Sequence, residues 1–517
     1  MNLDEFLYNL HYEPQKVSPL NWIVNWADAP LPYKLYRGLP VIPLSFDIPL
    51  NFIQKEAGLK PSLKEIGHCL WYTFGLTQVS RQMNFTLPPV YRRFTPSGGA
   101  LYPSELYIYL KIEDIPKGIY HYDVTNHQLV LLREGNFDSY ITRALGNRCD
   151  ISSTFATIFI STFFWKNFFK YHNFSYRLQG LDAGFVIGQL QEVGKSFGFE
   201  MGVYYLFLDK AVNHLLGLYQ QEESVYGIIP LSIETKTKWF SNQNVEALPS
   251  AAQLCKEIPP LKHQHYVRSK EIREYPMLIK MNEACMMNSF HVFHHIKQEK
   301  EKELTLPSIL LPYVNKLSYN LAPACRNRYS PGMDFVLKPI TQDVLSTLLM
   351  TVTSAFSYRN DIDEGFLGHP KRISLYGCYY NIKGIPKGVY YYDSSIHALK
   401  VIRRGDFRSS LQFGLLANFV NMSQVSLGFN VVGHKDHYQG AFGYRGHRMQ
   451  QMEAGILSHK LLLVAAALNM GGHPILGFNV NHSDQLYEIR GEGKTSLLQI
   501  PMGHFRPNPR LQGSLHH

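Results

Sequence analysis

Ile115-Pro116-Lys117-Gly118-Ile119-Tyr120-His121-Tyr122-Asp123 recurs as Ile385-Pro386-Lys387-Gly388-Val389-Tyr390-Tyr391-Tyr392-Asp393. The match continues in register through His127 and His397, Leu129 and Leu399, Arg133 and Arg403, Gly135 and Gly405, Phe137 and Phe407. Farther on, Tyr176-Arg177 with Asp182-Ala183-Gly184 aligns with His447-Arg448 with Glu453-Ala454-Gly455. Each opens an apolar-periodic stretch, which predicts helices from Gly184 to about Phe197 and from Gly455 to about Asn469. Apolar segments after these helices end at Pro230 and Pro501, still in register. Self-similarity of this length at one spacing identifies a tandem duplication.

Each copy mixes a capped helix, hairpin strands and a long helix followed by a strand. Ser62 and Glu65 form a capping-box pattern ahead of a helix to about residue 76, and Thr341 precedes its counterpart. Leu106 to Ile112 alternates as a strand, and Ile151 to Trp165 reads as a buried one. Strands and helices do not alternate regularly, so the fold class is α+β. No Gly-x-Gly-x-x-Gly follows a strand, which argues against a dinucleotide-binding Rossmann unit. The boundaries read as 1–235 for the first copy with an irregular, packed N-terminal segment of about 60 residues, 236–305 for a charged linker, 306–510 for the second copy, and 511–517 for a polar tail. A duplicated domain predicts an intramolecular pseudo-dimer with ligand sites where the halves meet.

The 517 residues carry a formal net charge of +10, with 45% hydrophobic and 13% aromatic residues. Lysines and arginines are scattered rather than clustered, which argues against a nucleic-acid partner. The six cysteines form no Cys-x-x-Cys pair, and the 22 histidines show no ligand spacing on a shared element, so no metal is expected. The N-terminus lacks the basic-then-apolar pattern of a signal peptide, and the most apolar run is too short to span a bilayer. A cytoplasmic protein without a membrane partner is expected.

The first copy alone carries Arg92-Arg93-Phe94-Thr95-Pro96-Ser97-Gly98-Gly99-Ala100-Leu101-Tyr102-Pro103-Ser104-Glu105. Paired glycines permit positive φ or close approach to a flat ligand, and nearby arginines suit an oxyanion. A tight turn feeding an edge strand, with two surface arginines, accounts for the residues equally well. The aligned Leu367-Gly368-His369-Pro370-Lys371-Arg372-Ile373 keeps one glycine. Lys170-Tyr171 of the first copy becomes Ala441-Phe442, whereas Arg445-Gly446 and Arg326-Asn327-Arg328 belong to the second. Each copy thus supplies different parts, which points to one composite site.

Pro96-Ser97-Gly98-Gly99-Ala100-Leu101-Tyr102-Pro103 with Glu105, the Gly118 to Asp123 segment, and Lys170-Tyr171 ahead of Asp182-Ala183-Gly184 resemble the SagB-type thiazole/oxazole-forming dehydrogenases of the nitroreductase-like flavoprotein superfamily. Arg326 and Arg328 resemble the arginine-rich start of nitroreductase domains. Phe185 and Ile456 depart from the family's histidine after Asp/Glu-Ala-Gly, and Asn327 departs from its serine between the arginines. The resemblance implies FMN between two nitroreductase-like domains, and oxidation of peptide azolines to azoles beside cyclodehydratase proteins and a precursor peptide. It implies Lys170 as base and Tyr171 as orienting or relaying group. Burial, or a cationic neighbour such as Arg177 or Arg445, would lower the lysine pKa. Backbone amides of Ser97 to Ala100 would meet the isoalloxazine, after Pro96. Arg326 and Arg328 would hold the phosphate, with Arg92 and Arg445 as further cofactor-binding candidates. Asp182 reads as a charge at a helix N-terminus. An NAD(P)H-dependent nitro or quinone reductase and a flavin-free scaffold subunit are the competing readings, and further association into a homodimer is left open.

Overall fold

The repeated Ile-Pro-Lys-Gly segments lead into two equivalent hairpins. In this computed structural model, residues 1–19, 21–51, 60–81, 90–234, 237, 239–240, 248–290, 306–363, 372–506 and 511–514 are described. Gly118 approaches the adjacent strand so closely that a Cβ would lie 2.5 Å from the Arg133 carbonyl, and Gly388 would meet that of Arg403 at the same 2.5 Å. The Tyr120 and Tyr390 hydroxyls donate to the carbonyls of Pro116 and Pro386. Asp123 and Asp393 accept from the N–H two residues on, at 2.9 and 3.0 Å, closing each turn with an Asx contact. The motif therefore repeats because the same bend is built twice.

Each half forms one antiparallel seven-stranded sheet of identical order. From edge to edge the first runs Val41–Pro43, Gln128–Glu134, Gly118–Asp123, Ser104–Leu110, Ala156–Phe163, Glu223–Ser232, Glu200–Met201. The second runs Ser308–Leu310, Ala398–Arg404, Gly388–Asp393, Ile373–Tyr379, Leu427–His434, Lys494–Gly503, Gly471–Gly472. Even the register shifts recur, between Ile119 and Tyr120 and again between Val389 and Tyr390. The capping box at Ser62 and Glu65 starts the helix Leu63–Phe74, and Thr341 caps Gln342–Val352, as the sequence predicts.

Two long buried helices, Ser175–Ser196 and Arg445–Ala467, pack along each other and join the halves. They begin at Ser175 and Arg445, not at Gly184 and Gly455. Their first turns carry buried Arg177, Gln179, Arg448 and Gln450, and these polar residues hide the helical period. Gly180, Gly184 and Gly188 give the first helix a smooth face four residues apart. A Cβ on Gly184 would fall 2.0 Å from the Met452 carbonyl, and one on Gly455 would fall 2.4 Å from that of Leu181. No side chain fits at either position.

The N-terminal segment is less irregular than expected. Helix Leu3–Tyr12 buries Phe6, Leu7 and Leu10, with Asn2 Oδ1 accepting the Glu5 N–H. It packs against the second half, where His11 Nε2 meets Thr495 Oγ1 at 2.8 Å. Helix Pro276–Cys285 packs against the first half, with Asn282 donating to the Gln220 carbonyl and Cys285 Sγ 3.3 Å from the Tyr176 hydroxyl. The helix leading each copy thus lies on the other copy. Residues 236–305 include a second helix, Ala251–Glu257, tied to the first half by the Arg143–Glu257 ion pair at 2.6 Å. The Lys297 to Glu303 charge run lies outside the described residues. Leu511–Ser514, expected as a polar tail, pairs with strand Gln78–Arg81. Among the described residues no helix is long and apolar enough to cross a membrane.

Replacing either glycine of the helix contact should force the helices apart. Gly184→Ala and Gly455→Ala are each expected to lower unfolding free energy in urea by about 1–3 kcal/mol or more. Gly428→Ala, where a Cβ meets nothing within 4 Å, should be close to neutral.

Candidate active site

Ser97 to Tyr102 folds into a turn held by the helix Ser175–Ser196. Ser97 Oγ donates to Asp182 Oδ2 at 2.6 Å, and the Gly98 N–H donates to Oδ1 at 3.3 Å. Ser97 Oγ also accepts the Tyr102 N–H at 3.0 Å, and its carbonyl accepts the Ala100 N–H at 3.1 Å. Gly99, Ala100 and Tyr102 all have positive φ, at 66°, 56° and 46°. For non-glycine residues that conformation is uncommon and stores strain, which clusters where function fixes the backbone. The expectation that Ser97 to Ala100 present a row of free amides is corrected here: those of Gly98 and Ala100 are spent inside the motif. Pro96 is half-buried and Gly99 is exposed.

Lys170 and Tyr171 end the helix Trp165–Tyr171 and lie against this turn. A Cβ on Gly99 would stand 2.6 Å from the Tyr171 hydroxyl and 2.9 Å from Lys170 Nζ. Lys170 is half-buried and makes no hydrogen bond or ion pair among the described residues. Its ammonium lies 4.8 Å from the Tyr171 ring centroid and 5.6 Å from that of Trp26. Burial lowers its pKa, and neither Arg177 nor Arg445 contributes. Tyr171 is pushed the other way, by burial and then by Asp182, so its hydroxyl keeps its proton. Asp182 sits within the helix, not at its N-terminus, and burial pushes its pKa up to about 7 against the opposing hydrogen bonds from Ser97 and Gly98. Its role was missed because the contact spans the sequence from residue 97 to 182.

The second half brings two arginines to the same segment. Arg328 Nε donates to the Phe94 carbonyl at 2.7 Å. Exposed Arg326 donates through Nη2 to the Leu50 carbonyl and the Tyr72 hydroxyl, both at 3.2 Å, and the Tyr72 ring stacks on Phe94. Arg92 meets Ser80 Oγ at 3.2 Å. Burial lowers the Arg328 pKa, and Arg92 lowers it further. Among the described residues neither Arg92 nor Arg328 has a carboxylate partner, an arrangement suited to an anionic group. Arg93 is structural: it is buried and donates to the carbonyls of Phe74 and Pro32 at 2.8 and 2.6 Å.

Arg445 requires correction. Its guanidinium is buried, donates to both Asp209 carboxylate oxygens at 2.9 and 2.7 Å, and also reaches the carbonyls of Tyr205 and Cys285. A phosphate there would have to displace Asp209, so this arginine joins the halves instead of awaiting a ligand.

The duplicate of Asp182 is Glu453, and its surroundings differ. Arg372 Nε donates to both Glu453 oxygens at 2.8 and 3.0 Å, and Arg372 also pairs with Asp363. Tyr358, bonded to Tyr205 at 2.7 Å, adds a contact to Glu453. Where the first copy offers a glycine turn beside Lys170 and Tyr171, the second inserts a buried ion triad. Leu367 to Lys371, aligned with the turn, lie outside the described residues.

No protein-family model matches the chain, and no curated protein matches it. Among solved structures, a protein of Anabaena variabilis assigned as a nitroreductase is similar over almost all of both chains, 98% of this one and 99% of that one, with 21% identity and a TM-score of 0.78. A Ralstonia eutropha protein with the same assignment matches 42% of this chain and 99% of its own at 18% identity and a TM-score of 0.31. The Escherichia coli microcin synthetase McbBCD complex with truncated pro-MccB17 bound matches 42% of this chain and 74% of its own at 21% identity and a TM-score of 0.27. The full-length likeness establishes the fold: this chain is a tandem duplication of the nitroreductase-like α+β unit, closed into an intramolecular pseudo-dimer.

The Asp182 environment has a signed consequence. A carboxyl with pKa about 7 when folded and 3.8 when unfolded binds more protons in the folded state between those values. Its contribution to stability therefore falls as pH rises from about 4 to about 7. Asp182→Asn should remove that slope, so urea midpoints at about pH 5 and about pH 8 should lie closer together than in the parent.

Proposed function

We propose that the chain is an FMN-dependent dehydrogenase that oxidises thiazoline or oxazoline rings of a modified peptide to the aromatic azoles. The observation that carries this reading is the half-buried Lys170 amine, without an ion-pair partner among the described residues, set against Gly99 beside the Tyr171 hydroxyl. A nitro or quinone reductase needs no such base, whereas azoline oxidation must remove a proton from the carbon next to the one that loses hydride.

The residues present fit FMN in two respects. Arg92 and Arg328 offer guanidinium groups uncompensated by carboxylate among the described residues, which suits the phosphate, and Arg326 donates to Tyr72, whose ring stacks on Phe94. The exposed turn at Gly99 holds the Tyr171 hydroxyl and the Lys170 amine where a Cβ would stand, so a ring seated at the turn would lie beside both groups. Bound FMN would supply the two-electron acceptor.

This chain's own residues do the remainder. Lys170, its pKa lowered by burial, accepts the ring proton. Tyr171 stays protonated and donates a hydrogen bond that orients the azoline heteroatom. Asp182 fixes the turn through Ser97 Oγ and the Gly98 N–H, holding Gly99 in place. The azoline-bearing precursor peptide is the substrate, and cyclodehydratase proteins that form the azoline are the partners this reaction needs. In the second copy Arg372 takes up the carboxylate equivalent to Asp182, and this reading expects one flavin per chain.

Purified protein should carry flavin at one equivalent per chain. Lys170→Met should keep the flavin and lose about 10²–10⁴-fold in azole formation. Arg328→Met should weaken FMN retention in equilibrium dialysis. Unchanged turnover in Lys170→Met would remove the base assignment. Nitroaromatic reduction with NADH that outpaces azoline oxidation would replace the proposal with the reductase reading.

A further inference from the structure

A cavity of about 140 Å³ lies between helix Leu3–Tyr12 and the N-terminal end of helix Arg445–Ala467. His11, Lys435, His437, His447, Gln451 and Thr495 are among its lining residues. A water needs about 10–15 Å³ of such space, so the cavity has room for several waters or a small ion. Two buried side chains are polar and unsatisfied there. His447, 4% exposed, has no partner for either ring nitrogen, and Gln451, 1% exposed, has none for its amide oxygen or nitrogen. Buried polar atoms of this kind are normally bonded, so each points to a group that completes it.

The charge of the cavity floor narrows the class. Arg177 is buried behind the wall, with Nη2 on the Leu497 carbonyl at 3.2 Å and Nε unsatisfied. Its duplicate Arg448 pairs with Asp209 at 3.3 Å. Helix Asp209–Leu216 begins with that aspartate, and the equivalent helix Val480–Leu486 begins with Val480, so Arg177 has no carboxylate in that place and feels Asp484 only through space. Burial, Arg177 and the neighbouring imidazoles hold His11 and His447 in the neutral form. Acidic groups stand at the rim or behind it. Exposed Asp4 accepts from Gln439, exposed Asp436 accepts from the Tyr438 N–H, and buried Asp484 accepts from Thr495 Oγ1.

We propose that this cavity binds a small oxyanion, a phosphate, sulfate or carboxylate, through Gln451 Nε2 and a His447 ring N–H, with Arg177 behind the wall and Lys435 in the lining supplying the attraction. The inference does not depend on the redox reading of the other site.

Calorimetric titration of the intact protein with sodium phosphate, sodium sulfate or sodium acetate, against a sodium chloride blank, tests it. Saturable binding of at least one anion is expected. His447→Phe and Gln451→Met should each weaken that binding about tenfold or more, whereas Lys117→Met, exposed and outside both sites, should leave it unchanged. Absence of saturable heat for all three anions overturns the proposal. So does affinity that follows Arg328→Met, because the ion then sits beside Phe94. Should the cavity variants fail to fold, a crystal structure of the parent protein grown in the binding anion decides the matter. Density bonded to Gln451 or His447 supports the site, and density elsewhere only overturns it.

Discussion

The architecture depends on the contact between Gly184 and Gly455. There the two long helices come so close that a Cβ on Gly455 would lie 2.8 Å from the Gly184 Cα. The approach leaves no room for water or a side chain, so the relative position of the halves is set by backbone meeting backbone. Everything shared between the copies is placed relative to this crossing. Asp182 lies two residues before Gly184 and Glu453 two residues before Gly455. The residues that face the two candidate positions are therefore indexed from the same contact, and a small shift of the crossing would displace both.

A duplicated frame relieves each copy of repeating the other's chemistry. Asp182 and Glu453 occupy equivalent places but have opposite surroundings, one bonded to a serine hydroxyl and a backbone amide, the other to a guanidinium. The asymmetry is consistent in charge. At the first position, Arg92 of the first copy and Arg328 of the second stand without carboxylates among the described residues, while the second copy buries Arg372 with two. Arg445 and Arg448 share Asp209 across the halves. A buried pair of this kind is weak evidence for added stability, yet removing one partner strands the other's charge, which makes the pairing hard to lose once acquired. The exchanged leading helices act in the same direction: each half is completed by a segment that belongs in sequence to the other.

What the chain discloses in advance follows from the range of the interactions involved. The duplication, the hairpins and the two capped helices are local patterns, and Ser62 with Glu65 or Pro116 with Tyr120 can be read within a few residues. The candidate site was legible where neighbours in sequence are neighbours in space, as for Lys170 and Tyr171 or Ser97 to Ala100. It was illegible where burial reverses the usual meaning of a residue. Arg445 looked like a free anion-binding arginine because its carboxylate stands far away at residue 209. Asp182 looked like a helix-start charge because buried Arg177 and Gln179 concealed the first turns of the helix. The first helix was missed for a different reason: Phe6, Leu7 and Leu10 make a short apolar face amid polar residues, too brief to establish a period.

The backbone after Lys170 and Tyr171 ties these threads together. His172 has φ 41° and ψ −137°, and its duplicate Gly443 has φ 54° and ψ −145°. One conformation is therefore built twice, by glycine in the copy that lost the lysine and tyrosine and by histidine in the copy that kept them. A non-glycine residue there costs on the order of 1–3 kcal/mol, whereas glycine adopts it freely. The fold requires the bend in both copies, since it turns the chain from the short helix into the long one. The first copy pays strain for the histidine, whose ring is half-buried beside Trp22 at 6.0 Å between centroids. The imidazole's packing against Trp22, and that indole's hydrogen bond to the Phe169 carbonyl at 3.2 Å, fix the last turn of the short helix. That turn is what sets Lys170 and Tyr171 against Gly99, so the strained residue and the strained glycine turn are two ends of one constraint.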